Sequence, residues 1–372
     1  MKKVIVIGGG IIGLMLSRAF SQEGLSVTLL DRQQLGGEAS WAGGGILSPM
    51  YPWRYSEALN QLVDWQCANF TQLSEDLLSD TGIDSEISLC GLHMMDVTDE
   101  YEALAWGQTA LGIKSGLNKV SAQAFKEREP FLTGKYDCSV LSLPSVGNVR
   151  NPRLLRALKK SLLLDERVQV KAHCTVESFV KKGEKIVGVN TSQGVFYADE
   201  CIVAAGAWSG NLLKSLQVEL PVKPVKGQML IVKAEPRQVN SVILSKACYL
   251  IPRLDGRVLI GSTVEHKGFD KTPTVSARKK LLDAAHSLMP ELKTAVVENH
   301  WAGLRPASPK GIPYISRVPQ VEGLSVCTGH FRNGVVTAPR SVQLMVDLLL
   351  ARNTLIDPGP YSLLRQPETL LV

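Results

Sequence analysis

Gly8, Gly10 and Gly13 stand at G-x-G-x-x-G spacing directly after the β-branched run 4–7. Bounded by glycine, that run predicts a short strand buried on both faces, as in a parallel sheet. Ile12, Leu16, Ala19 and Phe20 then recur with helical period, on what should be the side facing the sheet. In a strand–turn–helix unit the first glycine permits the tight turn, the second removes a side chain where a pyrophosphate must approach, and the third lets helix and strand pack closely. The helix start at Ile11 and Ile12 then turns free N–H groups and the positive end of its dipole toward the phosphates. A second strand, 27–30, ends in Asp31, where a carboxylate can accept hydrogen bonds from ribose hydroxyls. Strand, glycines, helix, second strand and terminal acid occur in order, which reads as a dinucleotide site rather than an accidental glycine-rich turn. The acid favours an adenosine with a free 2′-hydroxyl, shared by FAD and NAD but not NADP.

Three later segments select FAD. Residues 36–49, GGEASWAGGGILSP, are a second glycine-rich stretch whose small residues let backbone approach a flat ring system. An NAD enzyme has no need of it there. Ala39, Ser40, Gly44, Gly45 and Ile46 are its expected contacts, and Ser40 with the apolar Ile46 and Leu47 marks it as packed rather than flexible. Residues 200–209 read as a buried strand ending in small residues, with Gly206 and Trp208 at the helix start that follows. A strand at 323–328 leads into GHFRNGVVTAP at 329–339 and an apolar helix through Leu350, whose N-terminus suits a polar ring edge.

Together the fingerprint, ASWAGGGILSP at 39–49, AAGAW at 204–208, GLRP at 303–306 and GHFRNGVVTAP at 329–339 resemble, from end to end, the glycine oxidases of thiamine biosynthesis, within the D-amino acid oxidase and sarcosine oxidase group of flavoproteins. The resemblance implies FAD, expected to be non-covalent because no particular cysteine is marked for attachment. The fold class it implies is α/β with an α+β cap: a Rossmann-like FAD-binding domain and a mixed or antiparallel-sheet substrate domain. The FAD-binding part would be discontinuous, 1–84, 145–220 and 306–372, with 85–144 and 221–305 covering the substrate.

The same resemblance implies the site. Arg305 and Arg332 are the candidates for the substrate carboxylate or the flavin edge, because a guanidinium fork gives two parallel charge-assisted hydrogen bonds. Tyr249 is expected to reach the same carboxylate, the competing reading being a half-buried strand tyrosine. Arg32, Val176, His330, Phe331, Asn333, Gly334, Val335 and Val336 complete the expected cofactor contacts, Val176 toward the adenine, the competing reading of Val176 being an ordinary strand valine. His266 and His330 are poor candidates for a general base, and none is required if a neutral α-amino group binds and hydride leaves the α-carbon for the flavin. The implied reaction converts glycine, sarcosine or a small D-amino acid to an α-keto acid, glyoxylate for glycine, with ammonia and hydrogen peroxide. A D-amino acid dehydrogenase, a sarcosine oxidase-type enzyme and a flavin-retaining binding subunit are the rival readings.

Strand-like alternation marks the cover at 221–232, 248–252 and 257–261, with a hairpin turn at 254–256, and also 168–196 with a turn at 182–184. The chain has 372 residues, 45% hydrophobic and 20% charged, ample for two domains and unlike a disordered chain. Its formal charge of +6 is scattered, which argues for a solvated surface rather than a nucleic-acid partner. Seven cysteines, 67, 90, 138, 174, 201, 248 and 327, are widely spaced, with neither a zinc pattern nor a redox dithiol. The apolar start carries glycines at functional spacing and no cleavage site, so it reads as the nucleotide fold rather than a signal peptide, and no stretch has the length of a membrane span. A cytoplasmic homo-oligomer using molecular oxygen and a small amine substrate is the expectation.

Overall fold

The structure, a computed structural model, describes residues 1–133, 140–235 and 238–365. Cys138 and the last residues of the expected FAD-binding part lie outside it.

Its centre is a six-stranded sheet in the order Tyr314–Arg317, Leu324–Thr328, Glu200–Val203, Lys3–Ile7, Ser26–Leu30 and Val168–Lys171. All neighbours pair in parallel except Tyr314–Arg317 with Leu324–Thr328. Parallel pairing needs both faces covered, and the period-two geometry of the first strand shows how. Val4 and Val6 point into a core with Leu14, Leu16 and Phe20 of the helix Ile11–Gln22. Ile5 and Ile7 point the other way, into a core with Ile186 and Val189. That helix packs against Asn151–Leu164 and Ala338–Leu349. Truncating a fully buried side chain here, such as Leu16, would cost about 2–5 kcal/mol.

The alternating stretch 168–196 divides. Val168–Lys171 joins the edge of the parallel sheet, whereas Val176–Lys182, Lys185–Thr191 and Gly194–Tyr197 form a separate antiparallel sheet that covers its second face. The expected turn at 182–184 is the hairpin connection between the first two of these strands.

The cover is an eight-stranded sheet in the order Val296–Ala307, Lys223–Lys233, Arg257–Gly261, Tyr249–Pro252, Val242–Leu244, Leu92–Met94, Val140–Leu143 and Asn118–Val120. It is antiparallel except where Val242–Leu244 meets Leu92–Met94. Its hairpin pairs Ile251 with Leu259, closed by Arg253–Gly256 with the Gly256 N–H donating to the Arg253 carbonyl. Alternation sorts the two faces of this sheet as well. Leu230, Val232, Leu250 and Ile260 pack under the helix Val275–Leu288, while Met229, Tyr249, Ile251 and Leu259 face the opposite way. That second face closes over the ends of the parallel strands.

Candidate active site

The space between the two large sheets is a cavity of about 400 Å3. Ile7–Gly8, Leu30–Asp31, Ala204–Ala205 and Cys327–Thr328, each at or just past the carboxyl end of a parallel strand, line one wall. Ligands of open α/β sheets sit at those ends.

At the fingerprint, Gly8 adopts φ +113°, and a Cβ there would stand 2.5 Å from the Ala204 carbonyl oxygen. Gly10, Ile11 and Ile12 line the cavity. Gly13 does not: a Cβ there would meet the Gly8 carbonyl oxygen at 1.8 Å, so its place is the contact of helix with strand. Ser40 lines the cavity and its Oγ also accepts the Ile11 N–H at 2.8 Å. The next N–H groups of this first turn have no acceptor within the helix and remain for an anion.

Asp31 holds the loop from behind. Its carboxylate accepts the Gly9 N–H at 2.6 Å and the Gln33 N–H at 2.7 Å, while burial, against those bonds, pushes its pKa up. Arg32 lies 3.9 Å over the Trp208 ring, in the short helical turn Gly206–Trp208. Arg32, Gly206, Trp208 and Val176 all line this end of the cavity.

Ala39, Gly44, Gly45 and Ile46 line the middle. Instead of a continuous loop, the segment begins with a short helix, Ala39–Ala42. Two residues that carry no readable sequence signal hold it in place. Asn151 donates from Nδ2 to the Ser40 and Gly43 carbonyls. Arg253, beside the hairpin turn, donates from Nη2 to the Gly44 carbonyl at 2.9 Å and from Nη1 to Asn148 and Val149. Burial lowers the pKa of Arg253 to about 10, so its guanidinium stays charged at neutral pH.

The far end is assembled by one contact between sheets: Ala307 bridges His330, and the Phe331 N–H donates to the Pro306 carbonyl at 2.9 Å. This places Arg305 and Arg332 in the same cavity, with Tyr249. Arg305 lies against Gly227, where a Cβ would stand 2.2 Å from Nη1. Its Nη2 donates to Ser262 Oγ at 2.6 Å and its Nη1 to the Thr263 carbonyl at 3.0 Å. Burial, and then the charge of Arg332, lower its pKa, while Tyr249 opposes them. The Tyr249 hydroxyl contacts Met229 Sδ at 3.6 Å.

His330, Phe331, Arg332, Asn333, Gly334 and Val335 line the cavity. Val336 does not line the cavity. The Thr337 N–H donates to the Asn333 carbonyl, so the backbone is already turning helically, and Val336 is carried away into a core with Val63 and Trp65. His266 sits on an exposed loop and does not line the cavity. Burial pushes His330 down to about 3, which keeps it neutral at working pH. His330 Nε2, Arg332 Nε and Asn333 Nδ2, on residues that line the cavity, are buried without a hydrogen-bond partner. Groups of that kind ask for a polar ligand. The glycine cradle, the carboxylate at the adenosine end and these three atoms fit FAD, whose pyrophosphate, ribose and ring edges offer the missing partners.

The FAD dependent oxidoreductase family, DAO, matches residues 3–348. A glycine oxidase of Pseudomonas putida is 46% identical over 97% of this chain and 98% of its own length. A bifunctional ThiO/ThiG protein of Trichormus variabilis is 30% identical over 96% of this chain, which spans 54% of that longer protein. The crystal structure of glycine oxidase from Geobacillus kaustophilus superposes with a TM-score of 0.91 at 28% identity, covering 98% of this chain and all of that one. The chain therefore belongs to the FAD-dependent oxidoreductase family, as one of its FAD-dependent amino-acid oxidases.

Proposed function

We propose that the protein oxidises glycine, and with it sarcosine and small D-amino acids, to the α-keto acid, ammonia and hydrogen peroxide. The observation that carries this reading is the pair of guanidinium groups, Arg305 and Arg332, at the end of a flavin-sized cavity that also holds Tyr249. Arg305, held by Ser262 and Thr263 on one side, offers its remaining N–H donors to a carboxylate. Tyr249 adds a hydroxyl from the hairpin, and Arg332 supplies charge from the opposite wall. Bound FAD, held without a covalent link, would supply the acceptor for the hydride of the α-carbon and pass the electrons to oxygen.

What the chain itself contributes is orientation and electrostatics. With the carboxylate clamped, the Cα–H bond has one direction to face, and His330, kept neutral by burial, adds no further cation to the cavity. The thiol of Cys327, which lines the cavity, is pushed up by burial and is a poor nucleophile for covalent attachment. Residues 1–84, 145–220 and 306–372 hold FAD in this reading, and 85–144 with 221–305 cover the substrate. Membership of the parallel and eight-stranded sheets supports that division. The likeness to a ThiO/ThiG protein supports a place in thiamine biosynthesis.

The test is oxygen-dependent formation of peroxide and ammonia, with kcat/KM compared across glycine, sarcosine, D-alanine and D-proline. Turnover of glycine with an artificial electron acceptor but not with oxygen would replace the oxidase by a dehydrogenase.

A further inference from the structure

Lys226 is 1% exposed, an expensive place for an ammonium unless it is paired, and nothing in the proposed chemistry uses it. Its partners lie on an otherwise exposed loop. Nζ donates to the Asp270 carboxylate at 3.2 Å and to the Thr272 carbonyl at 2.5 Å. Asp270 in turn accepts the Thr272 N–H at 2.8 Å, and this bond with the lysine holds its carboxyl down to about 2. Two residues further along the strand, the fully buried Gln228 accepts the Thr274 N–H and donates to Glu265 and Thr274. A nine-residue stretch, 266–274, is exposed throughout, yet its base is bolted to the cover sheet by two buried polar side chains.

The tip of that stretch reaches to the other side of the cavity. Phe269 packs on Trp208, ring centroids 5.4 Å apart at 31°. Lys271 Nζ is 3.0 Å from both carboxylate oxygens of Glu38. Arg32 joins the two contacts, lying over Trp208 and 3.4 Å from Glu38. Trp208, Glu38 and Arg32 all line the cavity at its adenosine end, on segments far in the chain from this stretch, whereas Phe269 and Lys271 lie outside it.

We propose that residues 262–274 form a strap that retains the cofactor: fastened to the cover sheet at Lys226 and Gln228, latched by Phe269 and Lys271 onto Trp208 and Glu38, it must lift for FAD to enter or leave. Lys226 is thereby a positioning residue. It acts on the cavity through the loop, and the first residues of the same loop, Ser262 and Thr263, hold Arg305. The inference rests on the FAD reading of the cavity.

The experiment is FAD release from the holoenzyme, followed by the return of flavin fluorescence after dilution. In the Phe269→Ala/Lys271→Ala double variant the release rate should rise on the order of tenfold, the size that a partly exposed ring contact and ion pair allow together. KM for glycine at saturating FAD should stay unchanged, because neither side chain lines the cavity. Lys226→Met should raise both the release rate and KM, with Lys226→Arg recovering part of each. Release from the double variant within about twofold of wild type overturns the strap. A purified chain that carries no flavin and takes up none overturns the FAD reading itself, an outcome distinct from unchanged release.

Discussion

In the proposed reading the two ends of the cavity solve the same problem, holding an anion, by opposite means. At the fingerprint the protein removes side chains: Gly8 and Gly10 expose backbone, and the helix Ile11–Gln22 offers first-turn N–H groups. At the far end it adds them, with Arg305 and Arg332 brought into one space by the Ala307–His330 bridge. A site made of backbone is shaped by local sequence and tolerates no bulk. A site made of guanidinium groups depends on elements far apart in the chain and is specific through charge and fork geometry. The first suits a cofactor that stays, the second a small substrate that must leave after each turnover.

Bulk should therefore be fatal at one end and charge removal at the other. In Gly10→Val, whose new Cβ would meet only Ser40 Oγ at 3.2 Å, the chain has room to fold, but the side chain occupies the approach of the pyrophosphate. FAD affinity should fall on the order of a thousandfold or more, read as flavin content beside an apoprotein Tm close to wild type. A variant that keeps its flavin would remove the phosphate role from this loop. Arg305→Ala should leave FAD bound and raise KM for glycine about 10²–10³-fold, the loss of two charge-assisted hydrogen bonds. An unchanged KM would end its assignment.

The smallest effect concerns stability. His330 is held at about 3 in the folded chain against an ordinary value of 6.5. Between those values the unfolded chain binds more protons, so the stability that neutral His330 contributes is present above pH 6.5 and drains as pH falls toward 3. His330→Gln should flatten the fall of apoprotein Tm between about pH 6.5 and 4. It should not abolish it, because His93, lowered by burial to about 4, has the same sign. An identical slope in the variant would show that His330 is not held neutral by burial.

The same contrast explains what the sequence reveals. The Gly8–Gly13 unit is legible because strand, turn and helix are neighbours whose requirements are steric and local. The hairpin around 254–256 is legible for the same reason. Arg305, Arg332 and Tyr249 are legible only through the resemblance of their surrounding motifs, since no spacing predicts that strand Val296–Ala307 meets the turn at 330. Val336 lies off the cavity because its motif continues past the point where the backbone becomes helical. Arg253 and Asn151, which hold the 39–46 segment, and Lys226, which fastens the strap, act across separations of up to 209 residues and leave no local pattern.

Anaerobic addition of glycine to the purified holoenzyme tests the central claim most directly. The account predicts that the yellow flavin absorbance bleaches in the wild type at modest glycine concentration. Arg305→Ala, still yellow, should bleach only at glycine concentrations about 10²–10³-fold higher. A wild-type holoenzyme that stays yellow with glycine, sarcosine and every small D-amino acid tried would contradict it.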